Sequence, residues 1–201
     1  MRPSGRFSHR TLLTLALGAG ACALSVPPLR SLIEQSTVWH MVVQMPMLLA
    51  AGWLLAGRPG GAGDGPLPRT WDHFGLTSLM IAQAIFSYWM LPSAIDRAVV
   101  LPLVDLLKLL SLFCGGVLLQ RAMARSPSAL QLFVVGYAVS MLFAAGSFVA
   151  TADQRLCNAY SLESQWKAGI GLVALGATIA ALWLWGAVRR SFVANITRIP
   201  T

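Results

Sequence analysis

The chain has 201 residues, of which 56% are hydrophobic and 11% are charged, and its mean hydropathy is +0.67. Soluble domains carry about a quarter of charged residues, so this composition excludes a soluble globular domain. The net charge of +8 does not indicate a nucleic-acid-binding protein. The basic residues flank apolar stretches, where membrane topology and anionic lipid headgroups account for them.

Six apolar stretches predict an all-α, polytopic membrane helix bundle that forms one domain over residues 1–201. Each stretch is close to the length of about 20 apolar residues that a bilayer crossing requires. In chain order they are Thr11–Leu29, Thr37–Ala56, Phe74–Leu91, Val99–Gln120, Leu130–Thr151 and Ala168–Val188. The segments between them are too short to build a core of their own.

The basic residues are distributed unequally between the two sides of these stretches. One side carries Arg2, Arg6, Arg10, Arg58, Arg69, Arg121, Arg125, Arg189, Arg190 and Arg198. The other side carries only Arg30, Arg97, Arg155 and Lys167. Because basic residues near helix ends stay in the cytoplasm, the pattern predicts that both termini are cytoplasmic.

The first stretch has a second interpretation. A basic segment, Met1–Arg10, precedes the apolar Thr11–Leu24, and Ala21-Cys22-Ala23 resembles a signal-peptide cleavage site. Cleavage would remove residues 1–23 and leave five spans, whereas retention gives an even number of spans. Both alternatives stay open at this point.

The three cysteines, Cys22, Cys114 and Cys157, form no CxxC motif and have no zinc-ligand spacing. A disulfide between Cys22 and Cys157 is chemically allowed at the outer surface, although scattered cysteines are weak evidence for one. Cys114 lies in the middle of the fourth stretch, which predicts a small buried apolar residue.

The second stretch carries several unusual side chains near its outer end. His40 and Gln44 are four residues apart, as are Met41 and Met45. Each pair therefore lies on one face of a helix. Pro46 removes a backbone donor, which predicts a kink at this level.

Two further stretches contribute unusual residues to the same outer third of the bundle. The third stretch ends with Trp89 and Met90, and the fourth carries Asp105 and Lys108 about one-third of the way down. A functional site is therefore expected to face the outside. Tryptophans at the outer helix ends are typical of an interfacial aromatic belt. These are Trp39, Trp89 and Trp166.

Each unusual side chain has a structural and a functional interpretation. Asp105 and Lys108 are three residues apart, so an ion pair that lowers the cost of insertion is favoured over a transport role. His40 alone is more typical of a hydrogen-bonded structural residue than of a metal ligand. The methionines around His40 favour the metal-ligand interpretation, because thioether and imidazole ligands suit Cu(I). The candidate metal ligands are His40, Met41, Met45 and Met90.

The sequence contains no catalytic constellation, and we do not expect an enzyme. The serines have no histidine and carboxylate at a matching depth, and the glycines of 57–65 lack a P-loop lysine. Bis-histidine haem ligation needs two facing histidines, but His9 and His73 belong to the side opposite His40.

Three segments, in order, carry a resemblance to a known family. They are WHMVVQM at 39–45, YWMLPSAIDRA at 88–98 and SLESQWKAG at 161–169. They are similar to a His-Met-x-x-His helix entry, an aromatic-Trp-His-x-Pro turn and a Leu-x-Asp-Gln-x-x-x-Gly helix entry. Together they resemble the CtaG-type cytochrome c oxidase assembly factors, bacterial membrane proteins associated with copper supply to terminal oxidases. The resemblance covers roughly Trp39 to Arg190.

The chain departs from that pattern at the histidines. The second family histidine is replaced by Gln44 or Met45, and the histidine of the turn is replaced by Met90. The fourth stretch has Asp105 and Lys108 where the family places histidines around a glutamate. The resemblance therefore implies either a methionine-rich Cu(I) variant or a scaffold that has lost its metal.

Three functions follow as hypotheses. The first is an accessory or assembly protein for a copper-containing respiratory oxidase, which holds or delivers Cu(I) at the periplasmic face. The second is a metal-free scaffold or subunit of a larger membrane complex, in which Gly169, Gly171 and Gly176 allow close helix packing. The third is a small-solute or ion transporter that uses Asp105 and Lys108. The expected partners are membrane lipids and oxidase subunits or another membrane complex.

Overall fold

The computed structural model describes residues 9–23, 38–56, 72–156 and 161–196. These ranges are helical and contain no β-strand, which confirms the all-α prediction for them. The helices are α1 (His9–Ala23), α2 (Trp39–Gln44 continued by Met45–Ala56), α3 (Leu76–Trp89), α4 (Pro92–Val100), α5 (Pro102–Met123), α6 (Ser128–Thr151) and α7 (Leu162–Ile196). Arg30, Cys157 and most of the predicted inner loop lie outside the described residues, as does part of the region that bears on cleavage.

Four of these helices are long and apolar enough to cross a membrane. They are Trp39–Ala56, Pro102–Met123, Ser128–Thr151 and the Leu162–Arg189 part of α7. The segments His73–Trp89 and Pro92–Val100 pass the same test only together, and they are bent by 73° relative to each other. The described residues therefore support four or five spans, and the predicted six are not confirmed. With 15 described residues, α1 is not among these candidate spans.

Two prolines explain why the third predicted stretch ends, and the fourth begins, at other residues in the structure. Pro92 occupies the start of α4 and Pro102 the start of α5. Proline is favoured in the first helical turn, where its missing N–H leaves no intrahelical bond unmade. The predicted outer loop between the two stretches is therefore the short helix α4, and the next span begins at Pro102 rather than Val99.

The predicted kink near Pro46 takes the form of a π-helical segment. Trp39–Gln44 is π-helical, and the Met45 N–H bonds the His40 carbonyl five residues earlier. The wider turn accommodates the proline that follows, because Pro46 cannot donate the regular bond to the carbonyl four residues before it.

The helices form two packed groups. α5 packs against α2 and α3, and α1 packs against α2, while α6 and α7 form a close pair. The pair contacts α2 mainly through the π-helical segment. We call the end that carries Trp39, Trp89 and Leu162 the upper end, and the end that carries Ala56, Leu76 and Met123 the lower end.

Small residues bring α7 against its neighbours, as the sequence predicts, but those neighbours belong to the same chain. A Cβ on Gly169 would lie 2.6 Å from the Gly146 carbonyl oxygen of α6. A Cβ on Gly171 would lie 2.8 Å from Val42 Cγ2 of α2. These glycines therefore hold the bundle together and present no stripe to an outside partner.

One face of α5 is exposed and apolar. Leu103, Leu107, Leu110 and Cys114 lie on it at helical spacing, and Cys114 is a free, exposed thiol. The prediction that Cys114 is buried is therefore wrong. The side chain lies on the face opposite Lys108 and Leu112, and no other helix of the described residues covers it.

Candidate functional site

The unusual polar residues of α2 and α5 meet near the upper end of the bundle. Lys108 is completely buried, His40 is 8% exposed and Gln44 is 2% exposed. Polar and charged groups at such depth are expensive in a membrane protein and usually mark functional or structural centres. The Asp105 side chain is partly buried, with 13% of its surface exposed. We call Asp105, Lys108 and His40 the buried triad.

Lys108 lies at the centre of the triad. Its Nζ is 2.5 Å from Asp105 Oδ1 and 3.3 Å from His40 Nε2. The ion pair that the sequence spacing predicts is therefore present, one turn apart on α5. The contact with His40 joins residues 68 positions apart in the chain, so no local sequence pattern could predict it.

The contact fixes the tautomer of His40 while Lys108 is charged. An ammonium group has only donors, so His40 Nε2 must accept the hydrogen bond and the ring proton must lie on Nδ1. A neutral imidazole has one lone pair on its ring nitrogens, and here that lone pair points at Lys108. His40 therefore has no nitrogen available to a metal ion in this arrangement.

Trp89 connects α3 to the residues beneath the triad. Its Nε1 donates a 2.9 Å hydrogen bond to Ser111 Oγ, and Ser111 Oγ donates to the Lys108 carbonyl at 3.1 Å. Trp89 is 2% exposed, whereas Trp39 and Trp166 are half exposed. The aromatic-belt prediction is therefore wrong for Trp89, because its N–H finds a partner in the core.

The candidate methionine ligands are buried together. Met41, Met45 and Met90 belong to one core cluster, packed with Trp89 and Leu112. Their thioethers suit a soft ion such as Cu(I). Among the residues the structure describes, no three His, Cys, Asp or Glu side chains are placed to hold a metal ion. The methionine thioethers are thus of the ligand type that Cu(I) prefers, whereas His40 Nε2 faces Lys108.

A second polar cluster fixes the lower end. Asp72 accepts hydrogen bonds from the Ser78 N–H at 3.1 Å and the Ser78 hydroxyl at 2.8 Å, and Arg125 Nη2 lies 2.8 Å from its Oδ2. Burial opposes ionisation of Asp72, but the bonds from Ser78 and the Arg125 charge outweigh it and hold its pKa below the ordinary value of 3.8. This cluster ties the start of α3 to the end of α5.

The third segment of the resemblance has a structural role. Gln165 is almost fully buried and its Oε1 accepts the Leu156 N–H at 2.9 Å. Its Nε2 donates to the carbonyl oxygens of Val149 and Gln154. The side chain therefore closes the turn between α6 and α7. The neighbouring residues Glu163 and Lys167 form an exposed ion pair, with 2.7 Å between Lys167 Nζ and Glu163 Oε1.

Comparisons with protein-family models, curated proteins and solved structures found no match for this chain. The apolar helices, packed around a buried charged pair, are typical of a multi-pass α-helical membrane protein. The fold therefore assigns the chain to this broad class.

All four candidate ligands lie near the upper end, together with Gln44, Asp105 and Lys108. Trp89 and Ser111 are joined to Lys108 through hydrogen bonds, although the sequence did not indicate them as site residues. Ser111 follows Lys108 by three residues, so helical spacing predicts that both lie on the same face of α5. The hydrogen bond from Trp89 cannot be predicted from spacing, because it depends on how α3 packs on α5.

Proposed function

We propose that this chain is an accessory membrane protein that supports the assembly of a copper-containing respiratory oxidase as a metal-free scaffold. The order of the three segments that resemble the CtaG-type assembly factors supports the accessory role. The proposal that the scaffold holds no metal is supported by the position of Lys108, whose Nζ lies between Asp105 and His40. An ammonium group there repels a cation and uses the imidazole lone pair.

The charge distribution supports a location for this function. With Arg121 and Arg125 at the lower end of α5 and Arg189 near the lower end of α7, the lower end is the cytoplasmic side and both termini lie inside. The upper end then faces the periplasm of a bacterial inner membrane. The buried triad then lies near the periplasmic face.

The experiment is a deletion of the gene in its host, followed by measurement of the assembled oxidase from its haem spectrum. We expect deletion to lower the amount of oxidase. A scaffold predicts full rescue by wild type and by Met90→Leu, and no rescue by added copper salts. An unchanged oxidase level after deletion would contradict the accessory role.

A second candidate function is favoured by one observation. Three methionine side chains, Met41, Met45 and Met90, are buried in one cluster beside His40. Such a cluster would hold Cu(I) for transfer at the periplasmic face. In the same deletion strain this function predicts that added copper restores the oxidase and that Met90→Leu does not.

A further inference from the structure

An apolar cleft separates the two helix groups below the buried triad. It consists of an inner cavity of about 270 Å³ and an adjoining wider cavity of about 700 Å³ between α2 and α7. Both cavities are lined by Leu49, Trp53, Phe86, Ile179 and Trp183, so they are continuous. Volumes of this order are typical of small-molecule sites.

One polar side chain interrupts the apolar lining of the inner cavity. Gln83 of α3 is the only amide among the described residues that line it. Its Nε2 is shielded from solvent and has no hydrogen-bond partner among the residues the structure describes. A buried donor without an acceptor costs about 1–3 kcal/mol, so a ligand that supplies an acceptor here is favoured.

We propose that this cleft binds a membrane-soluble quinone, with a ring carbonyl accepting a hydrogen bond from Gln83 Nε2. The planar ring would lie among Trp53, Phe86 and Trp183, whose faces suit an aromatic-sized head group. The isoprenoid tail would follow the wider cavity between α2 and α7 towards the lipid. The proposal concerns binding alone and does not rest on the oxidase role.

The depth of Gln83 distinguishes a quinone from a phospholipid. Gln83 is seven residues from Leu76 on α3, about 10 Å along the helix axis at 1.5 Å per residue. The charged cluster of Asp72 and Arg125 lies beyond that lower end. Phospholipid ester carbonyls lie at the edge of a hydrocarbon core about 30 Å thick. An ester therefore does not reach Gln83, whereas a quinone head moves freely to this depth.

The test uses the full chain in lipid nanodiscs, with decylubiquinone as the probe and tryptophan fluorescence quenching as the readout. Wild type is expected to bind the quinone saturably, and Gln83→Leu about five- to ten-fold more weakly, the value of one hydrogen bond. Gln154→Leu, in the exposed upper loop, is the matched control and should bind as wild type does. Trp183→Phe should reduce the quenching amplitude, whereas Trp166→Phe should not.

Two further arms keep the proposal falsifiable if Gln83→Leu folds poorly. Ala138→Phe fills the inner cavity from α6 and should abolish saturable binding. Decylbenzene has the same tail but no carbonyl, so in the wild type it should compete poorly with decylubiquinone. Equal affinity of wild type and Gln83→Leu, unchanged binding by Ala138→Phe, or equal affinity for decylbenzene would each overturn the proposal. The last result would identify a cleft filled by acyl chains alone.

Discussion

Replacement of Lys108 by Met is expected to lower the free energy of unfolding by about 3–5 kcal/mol, the usual loss when one partner of a buried ion pair is removed. Asp105 would lose the ammonium group beside it, and His40 would lose its contact at Nε2. Methionine matches the length of the lysine stem, so the change leaves little cavity. The measurement is reversible unfolding in detergent micelles, followed by circular dichroism.

The chain supplies a matched control for this variant. Lys167 pairs with Glu163 at 2.7 Å, one helical turn apart, but both side chains are more than half exposed. Lys167→Met should therefore have little effect on stability. The double variant Lys108→Met with Asp105→Leu should recover most of the stability, because it removes both charges of the pair. Equal effects of Lys108→Met and Lys167→Met would contradict a buried ionic centre.

The second large effect is expected at Gly52, where α2 meets α5. A Cβ at Gly52 would lie 2.0 Å from the Phe113 carbonyl oxygen, and one at Gly116 would lie 2.2 Å from the Leu49 carbonyl oxygen. Both obstacles are backbone atoms, which no rotamer change can move. Gly52→Ala must therefore force the two helices apart, at a cost of about 3 kcal/mol or more.

The control for Gly52→Ala is Gly136→Ala on α6. A Cβ at Gly136 meets no atom within 4 Å, so this variant should be neutral or more stable by about 0.5–1 kcal/mol, the helix propensity gain. Thermal unfolding and monodispersity in detergent compare the two. The double variant Gly52→Ala with Gly116→Ala should be less than additive, since both changes open one interface. Equal stability of Gly52→Ala and Gly136→Ala would contradict this helix contact.

Hydropathy predicted the long helices because apolar length is a local property of the chain. α5, α6 and α7 lie over the predicted stretches, and α7 begins six residues before the predicted Ala168. The Ser161 side chain accepts the Ser164 N–H there, which extends the helix into polar sequence. α4 was not predicted, because its nine residues are too few for a span.

The partners within the site could not be predicted from local patterns. The spacing of Asp105 and Lys108 predicted their ion pair, because both lie on one helix. The approach of His40 depends on how α2 packs on α5, and that packing is set by Gly52 and Gly116. Neither glycine has a distinguishing sequence context, so the contact that decides the chemistry of the site appears only in three dimensions.

We propose that the ammonium group of Lys108 keeps metal ions out of the buried triad. The decisive measurement is an anaerobic titration of the purified protein with Cu(I), in competition with bathocuproine disulfonate. We expect no stoichiometric binding by wild type and no change in the variant His40→Ala with Met90→Ala. Binding of about one equivalent by wild type, with a ligand set that suits Cu(I) and a loss in that double variant, would contradict it.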